Sequence, residues 1–220
     1  MSLSTKAKAL LAAALCAGLA ACGSPQPVAY SGIASSSQLV PNKQDDSARI
    51  PYRYSTQVDW RAYNRAIIEP VVVYQGHDAQ FDDMSAKDKA ELASYMQSQF
   101  TEKLRSRFTI ATDPAPGTLR IRLTLTGAVT NTPVISTFSH LDLAGNLYNG
   151  VQAVRGGEGM ISGSVTYAVE IYDAPANRLL SAFVSKQYPG SMNIVASFGS
   201  LGAAKTGIEK GADALVDSLK

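Results

Sequence analysis

The sequence predicts an α+β fold, a two-layer sandwich in which a mostly antiparallel sheet carries its helices on one face. Three observations predict it. Leu119–Thr126 and Ser164–Tyr172 alternate apolar and polar residues with the period of two of half-buried strands. The segments after Ser85 and after Leu201 place apolar residues three and four apart, the period of amphipathic helices. The strands are apolar on one side only, the pattern of a sheet packed on one face and wet on the other.

The chain opens on a segment of another kind. Lys6 and Lys8 precede an apolar run from Ala9 to Ala21, the pattern of a signal peptide over residues 1–21. The run falls short of the roughly 20 apolar residues of a membrane span. It ends in Leu19-Ala20-Ala21-Cys22, which resembles the bacterial lipobox, where the cysteine receives diacylglycerol and becomes the mature N-terminus. Lipidation at Cys22 is therefore expected, with the membrane as a partner through that lipid. Each buried methylene contributes about 0.8 kcal/mol and one acyl chain holds only marginally, so the two or three chains of a lipoprotein are needed for stable attachment. Gly23 stands where Asp is the usual inner-membrane retention signal of Gram-negative bacteria. The expected location is the outer membrane, facing the periplasm.

Removal of residues 1–21 from the 220 leaves 199, enough for one domain with a real core. The 20 basic residues lose Lys6 and Lys8, which leaves 18 against 18 acidic ones. A chain without excess positive charge lacks the electrostatic footprint of a nucleic-acid binder. Cys16 leaves with the signal and Cys22 is the lipid site, so no intrachain disulfide is available.

Residues 22–37, rich in Ser, Pro, Gly and Ala and without charge, read as a flexible tether. Residues 38–220 then form a single domain. Its first part, Gln38–Tyr63, is a polar arm bearing Tyr52, Tyr54, Trp60 and Tyr63 and is placed on the domain surface. Ala66–Tyr74 is the first strand, and Pro70, which lacks an N–H, marks an edge or bulge in it. Ser85-Ala86-Lys87-Asp88 matches a capping box and opens a helix with the stripe Leu92, Met96, Phe100 and Leu104, ending near Arg107. A short strand, Phe108–Ala111, and a turn with two prolines, Asp113–Gly117, lead into Leu119–Thr126. After Ser164–Tyr172 the turn Asp173–Asn177 returns the chain as Arg178–Gln187, a hairpin partner. Leu201, Ala204, Ile208, Ala212, Leu215 and Leu219 form the stripe of the last helix.

Ser31-Gly32-Ile33, the stretch Val58-Asp59-Trp60-Arg61-Ala62-Tyr63-Asn64-Arg65-Ala66-Ile67-Ile68-Glu69-Pro70-Val71, Leu119-Arg120-Ile121-Arg122-Leu123 and the hairpin Ile171–Leu179 occur in this order. In them the chain resembles a group of bacterial lipoproteins, domain-of-unknown-function family 3313. The resemblance spans most of the mature chain. It implies an anchored envelope protein and carries no catalytic residues over.

Four constellations invite a chemical reading. His77, Asp78, Asp82 and Asp83 offer ligand atoms, yet no second histidine or ligand spacing accompanies them. Acids before a helix are favoured by its dipole, so the group reads as a solvated loop and no metal is expected. Ser136, Ser139, His140 and Asp142 have the composition of a triad without a nucleophile elbow, so no catalytic residue is assigned. Arg155-Gly156-Gly157-Glu158-Gly159 lacks the Lys-Ser/Thr of a phosphate loop and reads as a turn. Thr132–Gly159 is a long insertion between strands, rich in apolar residues and broken by Gly145 and Gly150. Either it buries those residues on the core or it exposes them to a partner or lipid, with Phe138 and Tyr148 as contacts.

Arg120, Arg122, Thr124 and Thr126, with Thr166 and Glu170, are assigned to the open face of the sheet. That face is either solvated or a docking surface in which Arg120 and Arg122 are the contacts. The sequence-level expectation is a non-enzymatic, membrane-anchored envelope lipoprotein, an interaction module in cell-envelope assembly or transport with an envelope protein as partner. No cofactor and no nucleic acid are expected. The alternative is a periplasmic binding protein for a small glycan or lipid.

Overall fold

The alternating segments pair with one another and the two amphipathic segments cover them. The computed structural model describes residues 25–45, 47–130, 163–189 and 199–220. Its elements are β1 (Val40–Pro41), β2 (Tyr52–Ser55), β3 (Arg65–Ile68), β4 (Val72–Val73), α1 (Ala86–Leu104), β5 (Thr109–Ile110), β6 (Thr118–Val129), β7 (Ser164–Asp173), β8 (Arg178–Gln187) and α2 (Gly202–Ser218). Phe138 and Tyr148, with the rest of Thr132–Gly159, and Cys22 lie outside the described residues.

The strands form one sheet in the order β1-β2-β8-β7-β6-β3-β5, with β4 also against β6. From β1 through β6 each neighbouring pair is antiparallel. Beyond β6 the pairing changes sense: β3 and β4 run parallel to β6, and β5 runs parallel to β3. The sheet is therefore mixed, which corrects the expectation of a mostly antiparallel one. The cause is α1, which carries the chain from β3 and β4 back to the start of β5 and β6. A connection of that length returns a strand in the same direction, the β-α-β crossover.

Pro70 acts where its missing N–H required. β3 lies against Thr118–Ile121 and β4 against Thr124–Leu125, so both occupy one edge of β6 with a break over Glu69-Pro70-Val71. Further along the same edge, Gln80 N donates to Thr126 O (2.9 Å) and Ala128 N donates to Gln80 O (3.0 Å). The β6 register shifts between Leu125 and Gly127. A Cβ on Gly127 would lie 2.7 Å from the Gln80 carbonyl oxygen, so this approach requires glycine.

Ser85 caps the N-terminus of α1 as the sequence implied, but the Asp88 carboxylate takes the Ser85 hydroxyl rather than a backbone N–H, so half of the capping box forms. Ser85 Oγ accepts from Asp88 N (3.1 Å) and donates to the Asp88 carboxylate (2.8 Å). Leu92, Met96, Phe100 and Leu104 are fully buried. They meet Leu119, Ile121, Leu123 and Leu125 of β6, the inward residues of β7, and Ile208, Ala212 and Leu215 of α2 in one core cluster. Tyr167 stands at its centre with its ring edge-on to Phe100 at 5.6 Å. Burial pushes the Tyr167 hydroxyl up to about 12, so it stays protonated. Lys103–Asp213 and Lys205–Glu91 join α1 to α2 at 2.8 and 2.7 Å, but both are exposed pairs of small energetic weight.

The alternate residues of the strands depart from expectation. Thr124, Thr126, Thr166 and Glu170 are buried, Glu170 to 1% exposure, where a solvated face was expected. What covers them is the segment 25–39, the N-terminal arm from here on and distinct from the polar stretch Gln38–Tyr63, which it overlaps only at Gln38 and Leu39.

Leu123→Ala removes a fully buried side chain and should cost roughly 2–5 kcal/mol in a denaturant titration. Gly211→Ala sets two effects against each other. Alanine gains about 1 kcal/mol of helix propensity, but its Cβ would fall on the Tyr167 hydroxyl. Tyr167 is fully buried and held by Phe100, so overpacking of about 1–3 kcal/mol should win. A stabilised Gly211→Ala variant would contradict that packing.

Candidate functional site

The arm is held by apolar packing and by two carboxylates. Tyr30, Ile33 and Leu39 are buried against Tyr74, Ala168, Ala182 and Val184. The stretch expected as a flexible tether, residues 22–37, is thus folded over its described part, from Pro25 onward. The reason is visible in the apolar side chains spaced through its serines, which find a sheet face with Ala168 and Ala182 small enough to receive them.

Asp78 is the first clamp. Its carboxylate accepts from Ser31 N (2.8 Å) and from the Tyr74 hydroxyl (2.7 Å), and that hydroxyl accepts from Gly32 N (2.8 Å). One member of the histidine–aspartate group after the first strand therefore fastens the arm. Tyr30 donates its hydroxyl to Gln80 Oε1 (2.8 Å), and its ring meets Tyr74 edge-on at 5.5 Å. Burial raises the Tyr30 hydroxyl to about 12.

Glu170 is the second clamp. Its Oε1 accepts from Ser35 N at 2.7 Å and from the Tyr172 hydroxyl at 3.2 Å, and Oε2 lies 3.9 Å from Arg122 Nη1. Arg122 is the residue directly opposite Glu170 on β6, so the strand register builds the pair. Arg122 Nε also donates to Glu69 Oε2 (2.8 Å), and Arg120 Nη1 donates to Glu69 Oε1 (2.6 Å). Arg120 reaches Asn177 with its other nitrogen and lies 4.2 Å above the Tyr172 ring. Burial works to raise the Glu69 carboxyl, but hydrogen bonds and charge from Arg122 and Arg120 outweigh it and hold the group below its ordinary value.

Arg120 and Arg122, the contact candidates from the sequence, are thus brought together. They line an open hollow of about 660 Å³ with Arg178, Tyr54 and the exposed Gln38 of the arm. Glu69 neutralises part of their charge, and Arg178 adds to it.

A second recess lies on the helix side of the sheet, between the C-terminal half of α2 and strands β2 and β8. It measures about 200 Å³, with Trp60, Ile171, Phe183, Leu215 and Leu219 as its apolar walls. Arg53 stands at its rim, opposite Phe183 across the strand pair. Sequence reasoning put Glu170 on the open face without seeing its burial, and it missed Arg53 as a site residue. A signal existed for Glu170: Thr166, Ala168 and Tyr172, its neighbours on that face, are not the charged residues of a wet surface. No comparable signal marked Arg53, whose four-residue strand gives too short a pattern.

Arg122→Ala should cost about 1.5 kcal/mol in a denaturant titration, more than a residue on a solvated face would. That is the low end for hydrogen bonds to charged groups, because a third of the side chain is exposed. Acid should loosen the arm. Burial tends to raise Asp78, but the Tyr74 and Ser31 bonds hold it low, and Glu69 is likewise held low. A carboxyl depressed in the folded state contributes stability that is complete above its unfolded value and fades as pH falls through its folded one. Stability should therefore hold steady above pH about 4.5 and decline below it. Melting temperature against pH measures this, and Asp78→Asn should flatten the decline.

Comparison with known proteins adds the following. No curated protein matches the chain. Among solved structures, the PelC dodecamer from Paraburkholderia phytofirmans is 11% identical over 74% of this chain and 94% of its own, with a TM-score of 0.38. A hypothetical protein from Chlamydia trachomatis is 8% identical over 70% and 94%, with a TM-score of 0.34. A putative neuraminyllactose-binding hemagglutinin homolog from Helicobacter pylori is 10% identical over 76% and 86%, with a TM-score of 0.31. Likeness at this level carries no argument about function. The family model described as protein of unknown function DUF3313 matches residues 29–215, a span that takes in most of the arm, the whole sheet and most of the last helix, and the chain belongs to that family.

Proposed function

We propose that this chain is a membrane-anchored envelope lipoprotein that acts as a non-enzymatic interaction module, held by lipid on Cys22 at the outer membrane. One observation supports the reading: Pro25 and Gln26, three and four positions after Cys22, are hydrogen-bonded to the rest of the domain. Three residues span at most about 11 Å, so a lipid on Cys22 leaves the domain close against the bilayer. Pro25 O accepts from Lys186 Nζ (3.2 Å) and Gln26 O accepts from Gln80 Nε2 (2.8 Å), which fixes the arm's start at one end of the sheet. Arg178 lies eight residues from Lys186 along β8, roughly 26 Å at 3.3 Å per residue. On this reading the Arg120–Arg122–Arg178 hollow faces away from the membrane, where a protein partner with an acidic segment would meet it. The sheet and the helices on one of its faces are the two-layer sandwich that we assign to the fold, with the arm lying on the other face.

The second reading, capture of a small ligand, draws on the recess beside α2.

The anchored reading is tested by labelling cells with a fatty-acid analogue and placing a photo-crosslinking residue at Gln38. The chain should take up label and sediment with membranes, and Cys22→Ala should lose both properties. A crosslinked partner should appear and disappear with Arg120→Glu. Labelling that persists in Cys22→Ala would overturn the anchor, and crosslinking indifferent to Arg120→Glu would overturn the hollow as the contact.

A further inference from the structure

We infer that the recess between α2, β2 and β8 binds a small anionic amphiphile, its apolar part between Trp60, Phe183 and Leu215 and its carboxylate on Arg53. The inference rests on the second reading above and is independent of the lipid anchor.

The chemistry of the lining selects the ligand class. The walls are aromatic and aliphatic, and serines at Ser55, Ser181 and Ser218 leave the slot unfilled. A dry apolar cavity of roughly 150 Å³ already accepts a benzene ring. About 200 Å³ therefore takes one ring or a short acyl segment and leaves the head group outside. At that position stands Arg53, the only charged side chain in the lining among the described residues. Among the described residues no carboxylate pairs with Arg53.

Register places the head group beside the tail. Arg53 is directly opposite Phe183, and Ser55 is directly opposite Ser181. Residues so paired have Cβ atoms about 5 Å apart on one face of the sheet. A carboxylate on the guanidinium is thus next to the ring that would receive the first carbons of the tail. Because Arg53 is exposed, the carboxylate keeps water on its far side and avoids the cost of full burial. Guanidinium offers it a two-pronged, charge-assisted hydrogen bond. Among the described residues no acid lines the recess.

Trp60 is the only tryptophan of the chain and lies in the wall, so its fluorescence reports occupancy directly. Octanoate is titrated into the full chain carrying Cys22→Ala, with octanol and octyltrimethylammonium as neutral and cationic probes. Octanoate should change Trp60 emission saturably and bind at least tenfold more tightly than either control. Arg53→Gln should weaken octanoate about tenfold, and the difference between probes should vanish with it. Ala214→Phe adds bulk at an exposed wall position, where folding tolerates it, and should abolish the response. No saturable response to octanoate overturns the site. Equal affinity for all three probes overturns the role of Arg53, and wild-type affinity in Ala214→Phe places binding elsewhere. None of these results bears on attachment through Cys22, which is read by membrane fractionation.

Discussion

Glu170 is a carboxylate buried to 1% exposure on the sheet face opposite the helices, and much of the structure is arranged around making that tolerable. Desolvating an ionised carboxyl costs several kcal/mol unless hydrogen bonds and an opposite charge offset it. The offset comes from three directions. Ser35 supplies a backbone N–H from the arm, Tyr172 a hydroxyl from the same strand, and Arg122 a guanidinium from the strand beside it. Remove the arm and one of those partners leaves with it. The buried charge therefore makes the arm part of the fold, and the same requirement fixes Arg122, which in turn orients Glu69 and, through it, Arg120.

That dependence explains why the two faces of the sheet differ in kind. The helix side is stabilised by volume: large side chains from α1, α2, β6 and β7 interlock, and no polar group has a leading part. The arm side is thinner, with Ala168 and Ala182 providing room for Tyr30 and Ile33, and its specificity comes from Asp78 and Glu170. The Asp78 carboxyl, which burial tends to raise but the Tyr74 and Ser31 bonds hold below its ordinary value, makes the arm side respond to pH, whereas a face held by leucines does not. The recess with Arg53 lies where the described part of α2 meets β2 and β8.

The long elements were legible because each carries its own period. Leu119–Leu125 and Val165–Ile171 alternate, and Leu92 to Leu104 steps by four, so β6, β7 and α1 follow from local pattern alone. The hairpin from Asp173 to Asn177 was legible from turn chemistry, and Asn177 adopts the positive φ of 50° that asparagine tolerates. Parallel pairing of β3 with β6 was not legible, because direction depends on where the intervening helix returns the chain. The arm escaped because Tyr30, Ile33 and Leu39 are spaced irregularly among serines and have no period to detect. Glu170 was assigned to solvent by its charge, which is the usual fate of a lone glutamate on a strand. Its burial depends on a contact with Ser35, 135 residues away in sequence.

The claim that the arm belongs to the folded domain is tested most directly by amide hydrogen exchange at Ser31, Gly32 and Ser35. These three N–H groups donate to Asp78, Tyr74 and Glu170. The account predicts slow exchange at all three, approaching that of the β6–β7 ladder, with selective loss of protection at Ser35 in Glu170→Gln. Exchange of all three at the rate of an unstructured peptide, unchanged by Glu170→Gln, would contradict it and return residues 25–37 to the role of a tether.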